Sequence, residues 1–168
     1  DNLADFFLHI YNFPKPTIAA VNGPAIAGGC GLASVCDFIF AHPTQSKFGY
    51  SEVKIGFIPA IVSIFLLKKI GEGKATELLL SGDIIDGKKA FDLGLVYSLN
   101  ENILADAINY AKTLSSNSEW SMRTTKKMLR NISGMNVTEA VEYCKTLNVI
   151  SRTTDDFKNG IEKFLNRK

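Results

Sequence analysis

The stretch from Thr17 to Ile58 constrains this chain more than any other. It opens with small and β-branched apolar residues, Thr17-Ile18-Ala19-Ala20-Val21, and meets a turn signal at Asn22-Gly23-Pro24. That pattern predicts a buried strand ending at a corner. Ala27-Gly28-Gly29 comes next, followed by residues 30–36, which are apolar on every side, as a short helix inside a core would be. Glycines at the start of such a helix have no Cβ, so a ligand oxygen can approach the unpaired N–H groups of the first turn. Those donors lie at the positive end of the helix dipole and suit a developing negative charge. The same glycines could equally serve close packing of helix on strand, and a short glycine motif does not choose between the two.

Around this centre the pattern is mixed α/β. Leu3, Phe6, Phe7, Ile10 and Tyr11 recur at helical spacing ahead of Pro14 and Pro16, which predicts an amphipathic first helix with His9 on its polar side. Residues 38–41 and 47–50 read as strands, with His42 in the loop between them as a turn residue. Pro59 opens an apolar helix that should be buried and should close at Lys68-Lys69 and Gly71. Short helices are expected over 74–80 and 88–93, the second capped by Asp86 and stopped by Gly94, and a strand over 95–99. From Asn102 onward everything reads as helix. Stripes such as Met122, Met128, Leu129 and Ile132, or Val137, Ala140, Val141, Cys144 and Leu147, are expected to be core.

A net charge of +2 gives no bulk attraction to nucleic acid or a membrane, so an anionic ligand would have to be held by local placement. Cys30, Cys36 and Cys144 are odd in number and lie in apolar segments, which predicts free thiols in a reducing compartment. With no Cys-x-x-Cys and no His pair, a metal site is not expected. No apolar run reaches the length of a membrane span and no signal-peptide layout is present, so the expected place is the cytoplasm. The first ten residues, without an initiator Met, look like the middle of a protein.

Taken together, Ile18-Ala19-Ala20-Val21-Asn22-Gly23, Gly28-Gly29-Cys30, Cys36-Asp37, Phe48-Gly49, Glu52, Gly56-Phe57-Ile58-Pro59 and the run from Ala90 to Gly94-Leu95-Val96 resemble the enoyl-CoA hydratase/isomerase (crotonase) family. The segment from Ser51 to Ser63 is similar to the methylglutaconyl-CoA hydratase-like branch. The resemblance implies a crotonase-like ββα spiral, of which this chain covers about the last two thirds. It implies a partial core over 1–100 and a C-terminal helical trimerisation region over 101–168, assembled as a homotrimer or a dimer of trimers. It also implies an acyl-CoA thioester substrate that reacts through an enolate, with coenzyme A as part of the substrate and no separate cofactor. By position, Gly28 matches the glycine whose N–H forms one half of the oxyanion hole. The other half lies in an N-terminal portion that has no counterpart here. Glu52 matches a glutamate that moves protons, and its apolar neighbours predict partial burial, although alone it would read as a surface residue. Gly29, Gly31, Pro59 and Ala60 fall where the family holds the acyl group, and Ala60, Ile61 and Val62 add bulk there. Phe164 and Arg167 match positions that reach the adenine and phosphates of coenzyme A, or else are a core phenylalanine and a solvated arginine.

One departure bears on the chemistry. In the two-carboxylate hydratases the position three after the oxyanion glycine is a glutamate, and here it is Gly31. Positions i and i+3 share a helix face, so the absent side chain is expected to leave room beside the Gly28 N–H that a glutamate could refill. Adding water needs two groups to hold it, whereas shifting a double bond needs one base that removes a proton and returns it to another carbon. Glu52 alone therefore fits isomerase chemistry better. The other reading is a non-catalytic CoA-binding or assembly module.

Overall fold

The computed structural model describes residues 2–166. Helix α1 (Asn2–Asn12) ends ahead of Pro14, and the chain then runs through strand β1 (Ile18–Val21), strand β2 (Pro24–Ile26) and helix α2 (Gly28–Val35). The same order repeats in β3 (Phe38–Ala41), β4 (Lys47–Gly49), a 3-10 turn over Ser51–Ile55 and α3 (Ala60–Ser81). Each round places its first strand in one sheet and its second in another. β1 pairs parallel with β3, Ile18 opposite Phe38, while β2 pairs parallel with β4, Ile26 opposite Gly49. This is the ββα repeat that the resemblance implies. β5 (Ile84–Asp86) closes the second sheet antiparallel to β4, and after α4 (Gly87–Asp92) the short β6 (Ser98–Leu99) joins β3.

One compact unit runs to Lys112. Phe7 of α1, Cys30 of α2, Phe48 of β4, Tyr50 and Leu66 of α3 are buried at its centre. It also takes in most of α5 (Ile103–Ser115), because Ile103 and Ala107 pack on Phe40 while Tyr110 sits among Phe38, Phe40 and Tyr97, with ring centroids 4.9–5.5 Å apart. A division at residue 100 would cut through this aromatic packing.

Several expected boundaries move for visible reasons. β2 hides behind its turn signal: Pro24 lies on an outer strand of the second sheet, where its lack of an N–H is tolerated. Gly71 does close the first helical stretch as expected: its φ of 76° and ψ of 167° are non-helical, and α3 (Ala60–Ser81) is two helices joined across a kink at that residue. The strand expected over 95–99 shrinks to two residues because the N–H groups of Leu95 and Val96 donate to Ala90 O, at 2.9 and 3.2 Å, in the turn that leaves α4. α3 is covered on one side only. Val62, Phe65 and Leu66 are buried, whereas Ile64 and Leu67 are 50% and 40% exposed.

A second unit starts at Thr113. It contains α6 (Glu119–Ile132), α7 (Val137–Thr153) and α8 (Asp155–Leu165), with a reciprocal cap between Asn136 and Glu139 on α7. Among the described residues none of these three helices buries a side chain. The stripes expected to be core are therefore half-buried at Met122, Met128, Ile132, Ala140, Cys144 and Leu147, and open at Leu129, Val137 and Val141. Helices that bury no side chain leave much of each apolar stripe uncovered.

Candidate active site

The turn into α2 has an uncommon geometry. Ala27, its N-cap, holds φ 52° and ψ −121° and is the one non-glycine with positive φ among the described residues. Its N–H donates to Gly49 O at 2.8 Å, and its carbonyl accepts the N–H of Gly31 at 3.0 Å as the helix's first bond. The N–H groups of Gly28 and Gly29 precede that bond and have no partner within the helix. Both residues are exposed, and a Cβ built on either would meet nothing within 4 Å. Close packing within this chain thus requires neither glycine, while an incoming oxygen can reach both donors.

Gly49 ends β4, and the chain turns through Tyr50 and Ser51 to Glu52. Glu52 is 8% exposed, and its Oε2 is a buried oxygen without a hydrogen-bond partner. An unsatisfied buried carboxylate oxygen is costly, on the order of 1–3 kcal/mol or more, and asks for a partner that binding can supply. The side chain interacts electrostatically with two buried acids beside it, the Cys30 thiol and the Tyr50 phenol. Tyr50 OH and Ser34 Oγ share a hydrogen bond of 3.0 Å that ties the start of the turn to α2. Burial pushes the Cys30 thiol up to about 11, with hydrogen bonds from Tyr50, the Gly49 backbone and Ser34 pulling back only in part. Burial likewise holds the Tyr50 phenol well above its usual range. Both stay protonated at neutral pH, so Cys30 is not a nucleophile. Neither Tyr50 nor Ser34 was singled out by pattern. A tyrosine ending a buried strand and a serine inside an apolar helix are the only signals of that bond.

Gly31 differs from its two neighbours. It is buried, and a Cβ there would lie 2.2 Å from Val62 Cγ1, 2.9 Å from Val62 Cβ and 3.2 Å from Phe7 Cε2. The expected room for a glutamate is already occupied by α3 and α1. Gly31 is a contact point between helices, so the expectation of free space there is corrected. Pro59 caps α3 half-buried, and Ala60 opens that helix exposed. Phe164, on α8 of the second unit, is 72% exposed and is not a core residue. Arg167 lies outside the described residues. His42 is a turn residue as expected, its Nδ1 accepting the N–H groups of Thr44 and Gln45. Among the described residues no cluster of His, Cys, Asp and Glu could hold a metal ion, and no helix is long and apolar enough to cross a membrane.

Comparison with known proteins gives a consistent result. The sequence profile described as enoyl-CoA hydratase/isomerase matches residues 1–168. A Thermus thermophilus protein, provisionally named an enoyl-CoA hydratase, is 38% identical over 169 residues, which are 99% of this chain and 66% of that protein. The mitochondrial enoyl-CoA hydratase of Pongo abelii is 33% identical over 163 residues, 95% of this chain and 56% of its own length. Among solved structures, a Legionella pneumophila protein described provisionally as an enoyl-CoA hydratase/isomerase (crotonase) superposes with a TM-score of 0.88 at 34% identity, covering 99% of this chain and 65% of that one. The chain thus spans no more than about two thirds of the length of these relatives.

Proposed function

This chain belongs to the enoyl-CoA hydratase/isomerase family, and we propose that it forms the larger part of an acyl-CoA enzyme in which Glu52 is the acid/base and the Gly28 N–H holds the thioester oxygen. The observation that carries this reading is the buried, unpartnered Oε2 of Glu52. It follows directly on the strand to which the Ala27–Gly28 turn is hydrogen-bonded.

With a single carboxylate the reaction that fits is a double-bond shift. Glu52 removes a proton from C2 of a 3-enoyl thioester, and the electron pair moves onto the thioester oxygen. The Gly28 N–H, at the positive end of α2, stabilises that oxyanion, and one such donor is typically worth roughly 3–4 kcal/mol. Collapse of the enolate carries the pair to C4, which takes the proton back from the Glu52 carboxyl and leaves a 2-enoyl thioester. Nothing is oxidised and no cofactor is consumed. Phe164, exposed on α8, and Arg167 are the proposed contacts to the adenine and phosphates of coenzyme A, by stacking and by charge. A homotrimer or a dimer of trimers in the cytoplasm is the proposed assembly and place.

Glu52→Gln in the full-length protein tests the reading. Interconversion of 3-enoyl- and 2-enoyl-CoA should fall by about 10²-fold or more, the usual contribution of a general acid/base group, with Tm little changed. Retention of more than about a tenth of the rate rejects the role. The absence of a second carboxylate favours one other reading, a CoA-binding module without turnover. Tight acyl-CoA binding, with no conversion of either isomer by the unaltered protein, would establish it.

A further inference from the structure

We infer that Val62 sets the reaction class of this site, by filling a place on α2, at Gly31, from which a second carboxylate could join Glu52. This rests on the acid/base role proposed for Glu52. Adding water across a double bond requires two groups to hold and orient the water, one taking its proton and one returning a proton to carbon. Glu52 is one such group. On α2, the position on the same face as Gly28 and one turn further in is Gly31. Gly31 is not vacant surface: a Cβ there would stand 2.2 Å from Val62 Cγ1 and 2.9 Å from Val62 Cβ, with Phe7 Cε2 at 3.2 Å.

These neighbours have little freedom to yield. Val62 is 5% exposed in the first turn of α3, and its β-branched side chain is confined to essentially one rotamer in a helix. Because the close atoms include its Cβ, rotating the side chain would not clear the position. Phe7 is 1% exposed and packs edge-on against Phe65, ring centroids 5.8 Å apart. Gly31 and Val62 are therefore a matched small and large pair across the α2–α3 contact. An apolar wall stands where any side chain at position 31 would have to be. This makes Val62 a specificity determinant that acts by excluding a side chain at position 31.

The test compares Gly31→Ala, Gly31→Glu, Val62→Gly and the Gly31→Glu/Val62→Gly double variant in the full-length protein. The readouts are Tm, hydration of a short 2-enoyl-CoA, and isomerisation of the matching 3-enoyl-CoA. Gly31→Ala and Gly31→Glu are expected to lower Tm by several degrees, roughly 2–4 °C for each kcal/mol of overpacking in a chain of this size. Val62→Gly should recover most of that loss in the double variant, and the ratio of hydration to isomerisation should rise at least about tenfold there and in no single variant. If Gly31→Ala leaves Tm unchanged, the steric pairing is wrong. If the double variant recovers Tm without a change in the ratio, Val62 is a packing residue only and the inference is overturned. Failure of the underlying reading looks different: the unaltered protein would convert neither thioester, or Glu52→Gln would convert both as well as it does.

Discussion

Ala27 holds φ 52° and ψ −121°, where the Cβ of an L residue crowds its own peptide groups and a glycine sits without penalty. It stays there because it is held on both sides, its N–H by Gly49 O and its carbonyl by the N–H of Gly31. Backbone held in so sparsely populated a region costs about 1–3 kcal/mol, and here it lies in the turn immediately before the Gly28 N–H. Ala27→Gly should release that strain. After allowing for the greater freedom of glycine in the unfolded chain, about 0.5–1 kcal/mol, a net stabilisation of roughly 0.5–2 kcal/mol is expected by thermal unfolding. A lower Tm would show that the Ala27 Cβ makes a favourable contact that outweighs its backbone strain. Neither this feature nor the role of Gly31 was legible in the sequence, for physical reasons. An alanine gives no sign of positive φ. Gly28, Gly29 and Gly31 look alike as letters and are separated only by what lies across from them, open space for two and Val62 for the third.

At the scale of elements, the joint between α2 and β4 positions the site, and it is held by buried polar groups. Ala27 bonds to Gly49, and Ser34 bonds to Tyr50, while the Cys30 thiol is buried among the same residues. This joint should make stability sensitive to alkali. The Cys30 thiol has its folded value raised to about 11 from 9.0. Below pH 9 both folded and unfolded chains keep the proton, and its contribution is constant. Between about 9 and 11 the unfolded chain releases the proton while the folded one retains it, so stability falls as pH rises, by roughly 2 kcal/mol across that window. The raised Tyr50 phenol acts in the same direction at higher pH. Unfolding free energies of the parent and of Cys30→Ala at pH 8 and pH 10.5 should differ in slope, with the variant less sensitive. Equal slopes would mean that the thiol is more accessible than the structure has it. The elements themselves were largely readable: Thr17–Val21, Phe38–Ala41 and Pro59 onward gave β1, β3 and α3 from apolar runs and punctuation. β2 and β5 were not, because three-residue strands carry too few side chains to show alternation, and their pairing with β4 is a matter of long-range register.

Across the whole molecule, burial is unequal, and stability should follow it. The unit ending at Lys112 has a core around Phe7, Cys30, Ile39, Phe48, Tyr50 and Leu66, each at most 1% exposed. Among the described residues, α6, α7 and α8 bury none. Periodicity revealed those three helices but not their burial, since an apolar stripe looks the same whether it meets its own chain or something else. Helices held by caps such as Asn136–Glu139 and Thr154, with little buried apolar area, open locally at low free energy, whereas amides in the packed strands exchange only through larger unfolding. In the 168-residue chain kept dilute enough to sediment as a monomer, hydrogen exchange should therefore be fast throughout 119–165. It should be slower by orders of magnitude at Ile39, Phe40 and Phe48, whose strands pair within the two sheets. The same measurement at concentrations where the chain associates should slow exchange in α6–α8 first, because the uncovered stripes at Leu129, Val141, Ile150 and Ile161 are the surface that association can bury. Equal protection of β3 and α7 in the dilute monomer would contradict this picture, since it would require the three C-terminal helices to be stabilised by something other than the burial they lack.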